Sequence, residues 1–163
     1  MDLNTTLVVF VSLEKYENKK KIGKLLNPDS IAVFGVSLSD KTKMGNIIYN
    51  NVKTSDRKTY AINPKAKDEK GFYKNIKNIP EDIDLAVLAI PSRYALGSIK
   101  DCIEAKVDSI ILVSGGFGEV DEEGEKKEGK IKDMISDSDV RLLGPNTMGV
   151  LIPPVNLDTF FLP

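Results

Sequence analysis

The chain contains no histidine and only one cysteine, Cys102. A single cysteine cannot form a disulfide within the chain, so we expect a cytoplasmic protein rather than a disulfide-stabilised secreted one. The missing histidine excludes any mechanism in which this chain itself supplies that side chain.

The chain also lacks a charge excess and a long apolar run. Lys plus Arg (23) nearly cancel Asp plus Glu (24), whereas a nucleic-acid partner favours a basic excess. The longest apolar candidate, Leu7 to Leu13, is far shorter than the roughly 18 residues that span a bilayer. Asp2 precedes it instead of a basic region, so we predict no signal peptide and no membrane partner, but an added strand or packing segment.

What the chain does contain is enough sequence for one domain, with 163 residues of which 41% are hydrophobic and 29% charged. After a lysine-rich joint at Lys19 to Lys24, apolar runs alternate with helical patterns. The predicted strands are Ile31–Phe34, Tyr60–Ile62, a short edge strand at Gly71–Tyr73, Leu85–Ile90, Ser109–Val113 and Val140–Leu143.

Helical spacing fills the intervals between these strands. Met44, Ile47, Ile48 and Val52 predict the buried face of a first helix, and Ile76 to Ile79 predict a single turn. Ser92 is predicted as the N-cap of a helix whose buried residues include Leu96, Ile99 and Ile103, and Glu122 to Met134 predict an exposed helix. This alternation predicts an α/β fold with a doubly wound, mainly parallel sheet.

In such a fold, ligands bind at the carboxyl ends of the strands. The residues at these ends are small, polar or turn-forming, and none is a carboxylate directly after a strand, which disfavours a hydrolytic acid/base pair or a carboxylate metal site. They suit a backbone that approaches a ligand closely. The five ends are Gly35-Val36-Ser37, Asn63-Pro64-Lys65, Pro91-Ser92, Ser114-Gly115-Gly116 and Gly144-Pro145-Asn146.

The first loop predicts a phosphate site. Gly35 permits a turn without a Cβ, Ser37 adds a hydroxyl, and a helix beginning near Met44 directs its positive N-terminus to the same place, with Lys41 and Lys43 as possible cations. The alternative is an ordinary strand-to-helix turn with solvated lysines.

The second loop indicates which class of nucleotide the site would bind. A dinucleotide-binding domain for NAD uses Gly-x-Gly-x-x-Gly in the first loop and an acidic residue after the second strand. Here no glycine follows Gly35 until Gly45, and Lys65 stands near the acidic position. A cation suits an extra ribose phosphate, so NADP or coenzyme A (CoA) remains open, unless Lys65 is a surface lysine like Lys67 and Lys70.

Two further strand ends complete the candidate site. Pro91 cannot donate a backbone N–H and provides an apolar ledge where the ladder stops. In the later loop, Gly115, Gly116 and Gly118 follow Ser114, and this glycine content favours a ligand-facing loop over a merely flexible one.

Taken in order, "LLNPDSIAVFGVS", "AINPK", "IDLAVLAIP", "SIILVSGGFGEV" and "RLLGPNTMGV" resemble the Rossmann-like, CoA-binding N-terminal domain of the NDP-forming acyl-CoA synthetases. That family includes the ADP-forming acetyl-CoA synthetases and the α subunit of succinyl-CoA synthetase. The resemblance covers about residues 25 to 163, so we predict residues 1–24 to be an extension of unknown role and 25–163 to be a CoA-binding domain.

The resemblance also implies site residues. The first loop, Gly35 to Ser39, would hold CoA phosphates, Lys65 or its neighbour Lys67 would contact CoA, and Asn146 would face the phosphoryl-transfer site, while Thr147 replaces a cysteine common in the family. The residues expected to contact CoA are Gly35, Val36, Ser37, Ser39, Lys43, Pro64, Lys65, Pro91, Val113, Ser114, Gly115 and Asn146.

In that family, phosphate passes from an acyl phosphate to a histidine in the following domain, and an ATP-grasp domain passes it to a nucleoside diphosphate. This chain has no histidine, so the resemblance implies a CoA-binding piece of an ADP-forming acyl-CoA ligase that is inactive alone. The histidine-bearing and ATP-grasp domains would then lie on a partner subunit or in further sequence. The alternatives are a stand-alone CoA-binding regulatory or carrier protein and an NADP-binding oxidoreductase or redox sensor.

Overall fold

Six parallel strands form the central sheet of the computed structural model, which describes residues 20–67 and 69–161. The order across the sheet is β3-β2-β1-β4-β5-β6, and Val33 at the centre is paired with Ala61 on one side and Val87 on the other. The strands are β1 (Ser30–Phe34), β2 (Lys58–Ile62), β3 (Phe72–Tyr73), β4 (Leu85–Leu88), β5 (Ser109–Leu112) and β6 (Arg141–Leu143).

Within the described residues, four α-helices and a small hairpin accompany this sheet. The helices are α1 (Lys20–Leu26), α2 (Met44–Lys53), α3 (Ser92–Glu104) and α4 (Glu122–Ser136), and single 3₁₀ turns occupy Ile76–Asn78 and Pro153–Val155. The hairpin pairs β7 (Leu151–Ile152) with β8 (Leu157–Asp158) in antiparallel fashion. Among the described helices, none is both long and apolar enough to cross a bilayer.

The sheet is buried on both faces, which explains why its central strands are continuous apolar runs. Ala32, Ala86 and Ile110 face a core that includes Ile99 of α3 and Ile131 of α4. Their neighbours Val33, Val87 and Ile111 face a second core. Residues of α2 and Leu157 of β8 complete that second core. The predicted doubly wound α/β fold is confirmed.

The direction of winding reverses between β1 and β4. From β1 the chain proceeds outward to β2 and β3, and it then returns to add β4, β5 and β6 on the other side. At such a reversal the crossover connections diverge, which leaves a crevice at the carboxyl ends of the two central strands. The fold therefore predicts a ligand-binding crevice beside Gly35.

Several local predictions need correction. The prediction of a lysine-rich joint is wrong, because Lys20–Leu26 is helical. The Lys24 ammonium donates at 3.0 Å to the carboxylate of Asp84, the residue directly before β4. Ser92 is not the N-cap of α3: the chain enters the helix one residue earlier, so Pro91 holds that position and makes no side-chain capping bond. Strand β4 ends at Leu88, two residues before the predicted Ile90.

The helix faces also differ in detail from the predicted ones. On α2, Gly45, Asn46 and Tyr49 are buried, whereas Met44 and Ile47 are only partly covered. On α3, Ala95 and Cys102 join Ile99 in the core, and Leu96 and Ile103 lie at its margin. Burial accordingly raises the pKa of the Cys102 thiol, which leaves it protonated and unreactive.

The N-terminal segment is described only in part. Leu7 to Leu13 lies outside the described residues. The predicted division between residues 24 and 25 falls within α1, which contacts β5 and β6. The boundary stays a prediction.

Candidate functional site

Five connections meet at the carboxyl edge of the sheet. They are the β1–α2 loop (35–43), the β2–β3 loop (described at 63–67 and 69–71), the β4–α3 loop (89–91), the β5–α4 loop (113–121) and the loop after β6 (144–150). Parallel strands bring all of these to one side of the molecule.

The β1–α2 loop and the start of α2 are held together by two glycines. Gly35 has φ +85°, and a Cβ there would overlap the carbonyl oxygen of Ala89 at the end of β4. A Cβ on Gly45 would lie 2.5 Å from the carbonyl oxygen of Gly35. Both positions therefore require glycine, and the N-terminus of α2 approaches the strand end directly.

Asn46 fixes the conformation of this loop from inside α2. Its side chain is buried, its Oδ1 accepts the amide of Ser37 at 2.7 Å, and its Nδ2 donates to the Ser37 carbonyl at 3.0 Å. The Ser37 hydroxyl oxygen in turn accepts the amides of Ser39 and Asp40 at 3.3 and 3.0 Å. The serine predicted to meet a phosphate thus also organises the loop.

Asn63 joins the first two loops. Its Nδ2 donates to the Val36 carbonyl at 2.7 Å, and its Oδ1 accepts the amide of Lys65 at 2.8 Å. One side chain therefore positions the backbone of both loops relative to each other. Pro64 and Lys65 follow it on the exposed surface.

Cations surround these two loops. Lys65 and Lys67 are exposed, and neither forms an ion pair within the described residues. Lys43, the residue before α2, lies 3.6 Å from Asp40, so its charge is partly neutralised. Asp40 accepts the hydroxyl of Thr42 at 2.6 Å, which lowers the pKa of that carboxyl. Both loops therefore carry exposed lysines, and those after β2 are outside any ion pair among the described residues.

Carboxylates of the chain itself occupy amides in the β5–α4 loop. The amides of Gly116 and Phe117 donate to the two oxygens of Glu119 at 2.6 and 3.2 Å, and the amide of Gly118 donates to Glu128 at 3.3 Å. The hydrogen bond from the Gly116 amide is the main cause that lowers the pKa of the Glu119 carboxyl. Three successive amides of this loop are thus directed at anionic groups.

The loop after β6 closes the site on the other side. The Asn146 amide donates to the Ser114 carbonyl at 3.0 Å, and a Cβ on Gly115 would lie 3.2 Å from Oδ1 of Asn146. A Cβ on Gly116 would lie 2.8 Å from Oγ of Ser92. The β5–α4 loop therefore lies against both the start of α3 and the loop after β6.

All twelve predicted site residues lie at this edge, and most of them are joined in two groups. The first group comprises Gly35, Val36, Ser37 and Ser39 with Asn63 and with Lys65, whose backbone amide bonds Asn63, and the second comprises Ser114, Gly115 and Asn146. Val113 is buried at the end of β5, whereas the exposed members of the twelve are Ser39, Lys43, Pro64, Lys65, Pro91, Gly115 and Asn146. Whether each contacts a ligand stays a prediction.

The sequence reasoning missed Asn46 and did not single out Asn63. Asn46 lies on the buried face of α2 with Ile48 and Tyr49, and a short amide on an apolar helix face is a signal that it must bond nearby backbone. Asn63 was visible only as the first residue of the turn after β2. The partners of these amides are set by the fold and not by local pattern.

The sheet order defines a Rossmann-like α/β domain. The model of the family described as "CoA binding domain" matches residues 29–153 of the chain. This chain belongs to that family, and the predicted resemblance is confirmed.

Known relatives place the domain within larger enzymes. The chain is 32% identical over 139 residues to the α subunit of an ADP-forming acetate–CoA ligase II of Pyrococcus furiosus, covering 83% of this chain and 30% of that protein. It is 34% identical over 139 residues to an ADP-forming 4-hydroxybutyrate–CoA ligase of Nitrosopumilus maritimus, covering 83% and 19%.

A solved structure shows the same arrangement. The acetyl-coenzyme A synthetase 1 of Ca. Korarchaeum cryptofilum, determined with phosphate and ADP, superposes with a TM-score of 0.80 at 35% identity and covers 87% of this chain and 31% of that one. The chain therefore spans less than a third of the length of these relatives. It is homologous to the α-subunit region of the NDP-forming acyl-CoA synthetases.

Proposed function

We propose that this chain binds CoA across the carboxyl ends of β1, β2, β4, β5 and β6, as the CoA site of an ADP-forming acyl-CoA ligase. CoA is a substrate of that reaction. The β1–α2 loop and the N-terminus of α2 bind its diphosphate, and Lys65 binds its 3′-phosphate. Pro91, Val113, Ser114 and Gly115 line the remainder of the path, and Asn146 lies at its far end.

The observation that carries this proposal is the closeness of Gly35 to both Ala89 and Gly45. Without any Cβ between them, the strand end and the first turn of α2 form a backbone surface that a diphosphate can approach, with the positive end of the helix directed at it. The exposed Lys65, held by Asn63 on the adjacent loop, adds the cation that a ribose phosphate requires.

The rest of the ligase cycle requires residues that this sequence does not contain. The 163 residues include no histidine, so the phosphohistidine and the ATP-grasp domain belong to a partner subunit or to further sequence. This chain would then present CoA while those parts transfer the phosphoryl group. The single buried cysteine is in keeping with a cytoplasmic location for the complex.

Ligand-dependent melting tests the binding proposal. CoA at about 100 times its Kd should stabilise the fold by about 2.7 kcal/mol and raise Tm, because it binds only the folded state. NADPH at the same concentration should leave Tm unchanged. Stabilisation by NADPH and not by CoA would overturn the proposal in favour of an NADP-binding protein.

Activity of the natural complex tests the ligase proposal. The tagged chain, purified under native conditions from its own cells, should convert acetyl-CoA or 4-hydroxybutyryl-CoA, ADP and phosphate into the free acid, CoA and ATP. The recombinant chain alone should not. Recombinant CoA binding combined with an inactive native preparation would instead favour the stand-alone CoA-binding protein.

A further inference from the structure

We propose that Asn46 is a positioning residue that sets which backbone amides of the β1–α2 loop face the ligand. It does not itself contact CoA. This inference rests on the proposed function, since it concerns how the same loop is made ready for a diphosphate.

The geometry of Asn46 is unusual for a helix residue. It lies in the first turn of α2 and is only 3% exposed, yet both polar atoms of its amide bond a single residue outside the helix. Oδ1 accepts the Ser37 N–H at 2.7 Å and Nδ2 donates to the Ser37 carbonyl at 3.0 Å. The two bonds hold the N–H and the C=O of Ser37, which belong to successive peptide units, and they fix the orientation of both units, as pairing within a sheet does.

This pairing separates the loop amides into two sets. The amides of Ser37, Ser39 and Asp40 are used internally, by Asn46 and by the Ser37 hydroxyl. Within residues 20–67 and 69–161, the alternate amides of Val36 and Leu38 find no acceptor. Val36 is also held by its carbonyl, which accepts Nδ2 of Asn63 at 2.7 Å. Val36 is only 1% exposed, so the loop presents the amide of the partly exposed Leu38 as its donor for a ligand.

Asn46 lies on the buried face of α2 together with Ile48 and Tyr49, where an aliphatic side chain would avoid the desolvation of an amide. An aliphatic side chain would, however, leave the N–H and the C=O of Ser37 without these two bonds. The amide therefore keeps the peptide units on both sides of Ser37 in one orientation. We infer that this orientation serves ligand affinity in addition to folding.

The experiment compares two asparagines of α2. Asn46→Leu removes both bonds to Ser37 at nearly constant volume. Asn51→Leu is the matched control: the Asn51 side chain is half-buried in the same helix and donates to the Phe160 carbonyl at 2.9 Å, remote from the β1–α2 loop. Isothermal titration gives the Kd for CoA of each variant, and thermal melting gives its Tm.

We expect Asn46→Leu to weaken CoA binding about tenfold or more, because donors to a charged diphosphate become misaligned. Asn51→Leu should bind CoA within about twofold of wild type at a similar loss of Tm. The amide resonances of Val36 and Leu38 should shift on CoA binding in wild type and in Asn51→Leu, and shift less in Asn46→Leu. If Asn46→Leu does not fold, Asn46→Ala replaces it under the same criteria.

Three results would overturn the inference, and they are separable. Wild-type affinity in a folded Asn46 variant would show that the loop needs no such positioning. An equal loss of affinity in Asn51→Leu would show that general destabilisation of α2 is responsible. If wild type itself does not bind CoA, the proposed function fails and takes this inference with it.

Discussion

A methyl group on Gly45, in the first turn of α2, would lie 2.5 Å from the carbonyl oxygen of Gly35 at the end of β1. The neighbouring atoms are backbone, so the clash is relieved only by moving the helix or the loop. This contact couples the stability of the fold to the shape of the β1–α2 loop.

Gly45→Ala should therefore destabilise the fold by about 1–3 kcal/mol through overpacking and weaken CoA binding. Denaturant unfolding and CoA titration measure the two effects. Gly97→Ala is the matched control, because Gly97 is a glycine of α3 whose added Cβ would meet nothing within 4 Å. It should raise stability by roughly 0.5–1 kcal/mol without changing CoA affinity. A Gly45→Ala variant as stable as wild type would contradict the close packing.

A comparison of CoA with dephospho-CoA shows whether Lys65 or Lys67 contacts the 3′-phosphate. Lys65→Ala should weaken CoA binding about tenfold, by loss of a charge-assisted contact, and should leave dephospho-CoA binding unchanged because that ligand lacks the 3′-phosphate. Lys67→Ala is the control, because Lys67 is another exposed lysine of the same loop. The reverse result would assign the contact to Lys67, and wild-type affinity in both variants would remove this loop from the 3′-phosphate site.

Arg57 anchors the C-terminal segment at the opposite, amino edge of the sheet. Its guanidinium donates to the carbonyls of Pro28 at 2.6 Å and Asn156 at 2.9 Å, to Oδ1 of Asn27 at 3.0 Å, and to the carbonyl of Val155. A lysine cannot reproduce this planar set of donors.

Arg57→Lys should lower the free energy of unfolding by about 2 kcal/mol, since the part-buried carbonyls of Pro28 and Val155 lose a partner. Arg141→Lys, at an exposed position of edge strand β6, should change it by no more than about 0.5 kcal/mol. Denaturant unfolding measures the free energy of unfolding of both variants. Equal effects would mean that the guanidinium bonds contribute nothing specific.

Tyrosine titration tests the packing beside β2. Burial and the bond to Glu81 raise the pKa of Tyr60 to about 12, whereas the bond with Arg93 lowers the pKa of Tyr94. Because the phenolate of Tyr60 is disfavoured in the folded state, its contribution to stability is complete below its ordinary pKa of 10.0 and is lost as pH rises towards about 12.

Ultraviolet absorbance should therefore show Tyr94 among the first phenols to ionise and Tyr60 among the last. Tyr60→Phe should remove a late step, and Tyr94→Phe an early one. Ionisation of Tyr60 near pH 10 while the fold is intact would contradict its burial.

The central sheet was predictable from sequence because its strands are buried on both faces. Runs such as Ile31–Phe34 and Leu85–Leu88 carry no alternation, which is typical of parallel strands covered by helices. The β7–β8 hairpin was not predicted, because its two-residue strands flank Pro153 and Pro154 and are too short to give a period. Strand β4 ends early because its end lies against Gly35, a long-range contact.

The candidate site, like the fold, was predictable only in part. Its location follows from topology, so residues directly after the strands were accessible to sequence reasoning. Its internal bonds were not, because Asn46 bonds Ser37, 9 residues away, and Asn63 bonds Val36, 27 residues away. Gly124 shows a similar limit: glycine is unfavourable within a helix, but a Cβ at this position of α4 would overlap the Phe117 backbone.

Amide chemical shifts recorded during a CoA titration test the proposed binding mode most directly. Saturable shifts should be largest at Val36, Leu38 and Lys65 and should extend to Gly115 and Asn146, while Arg57 and Asn156 at the amino edge stay unchanged. The absence of saturable shifts, or shifts confined to the amino edge, would contradict CoA binding at the carboxyl ends of the strands.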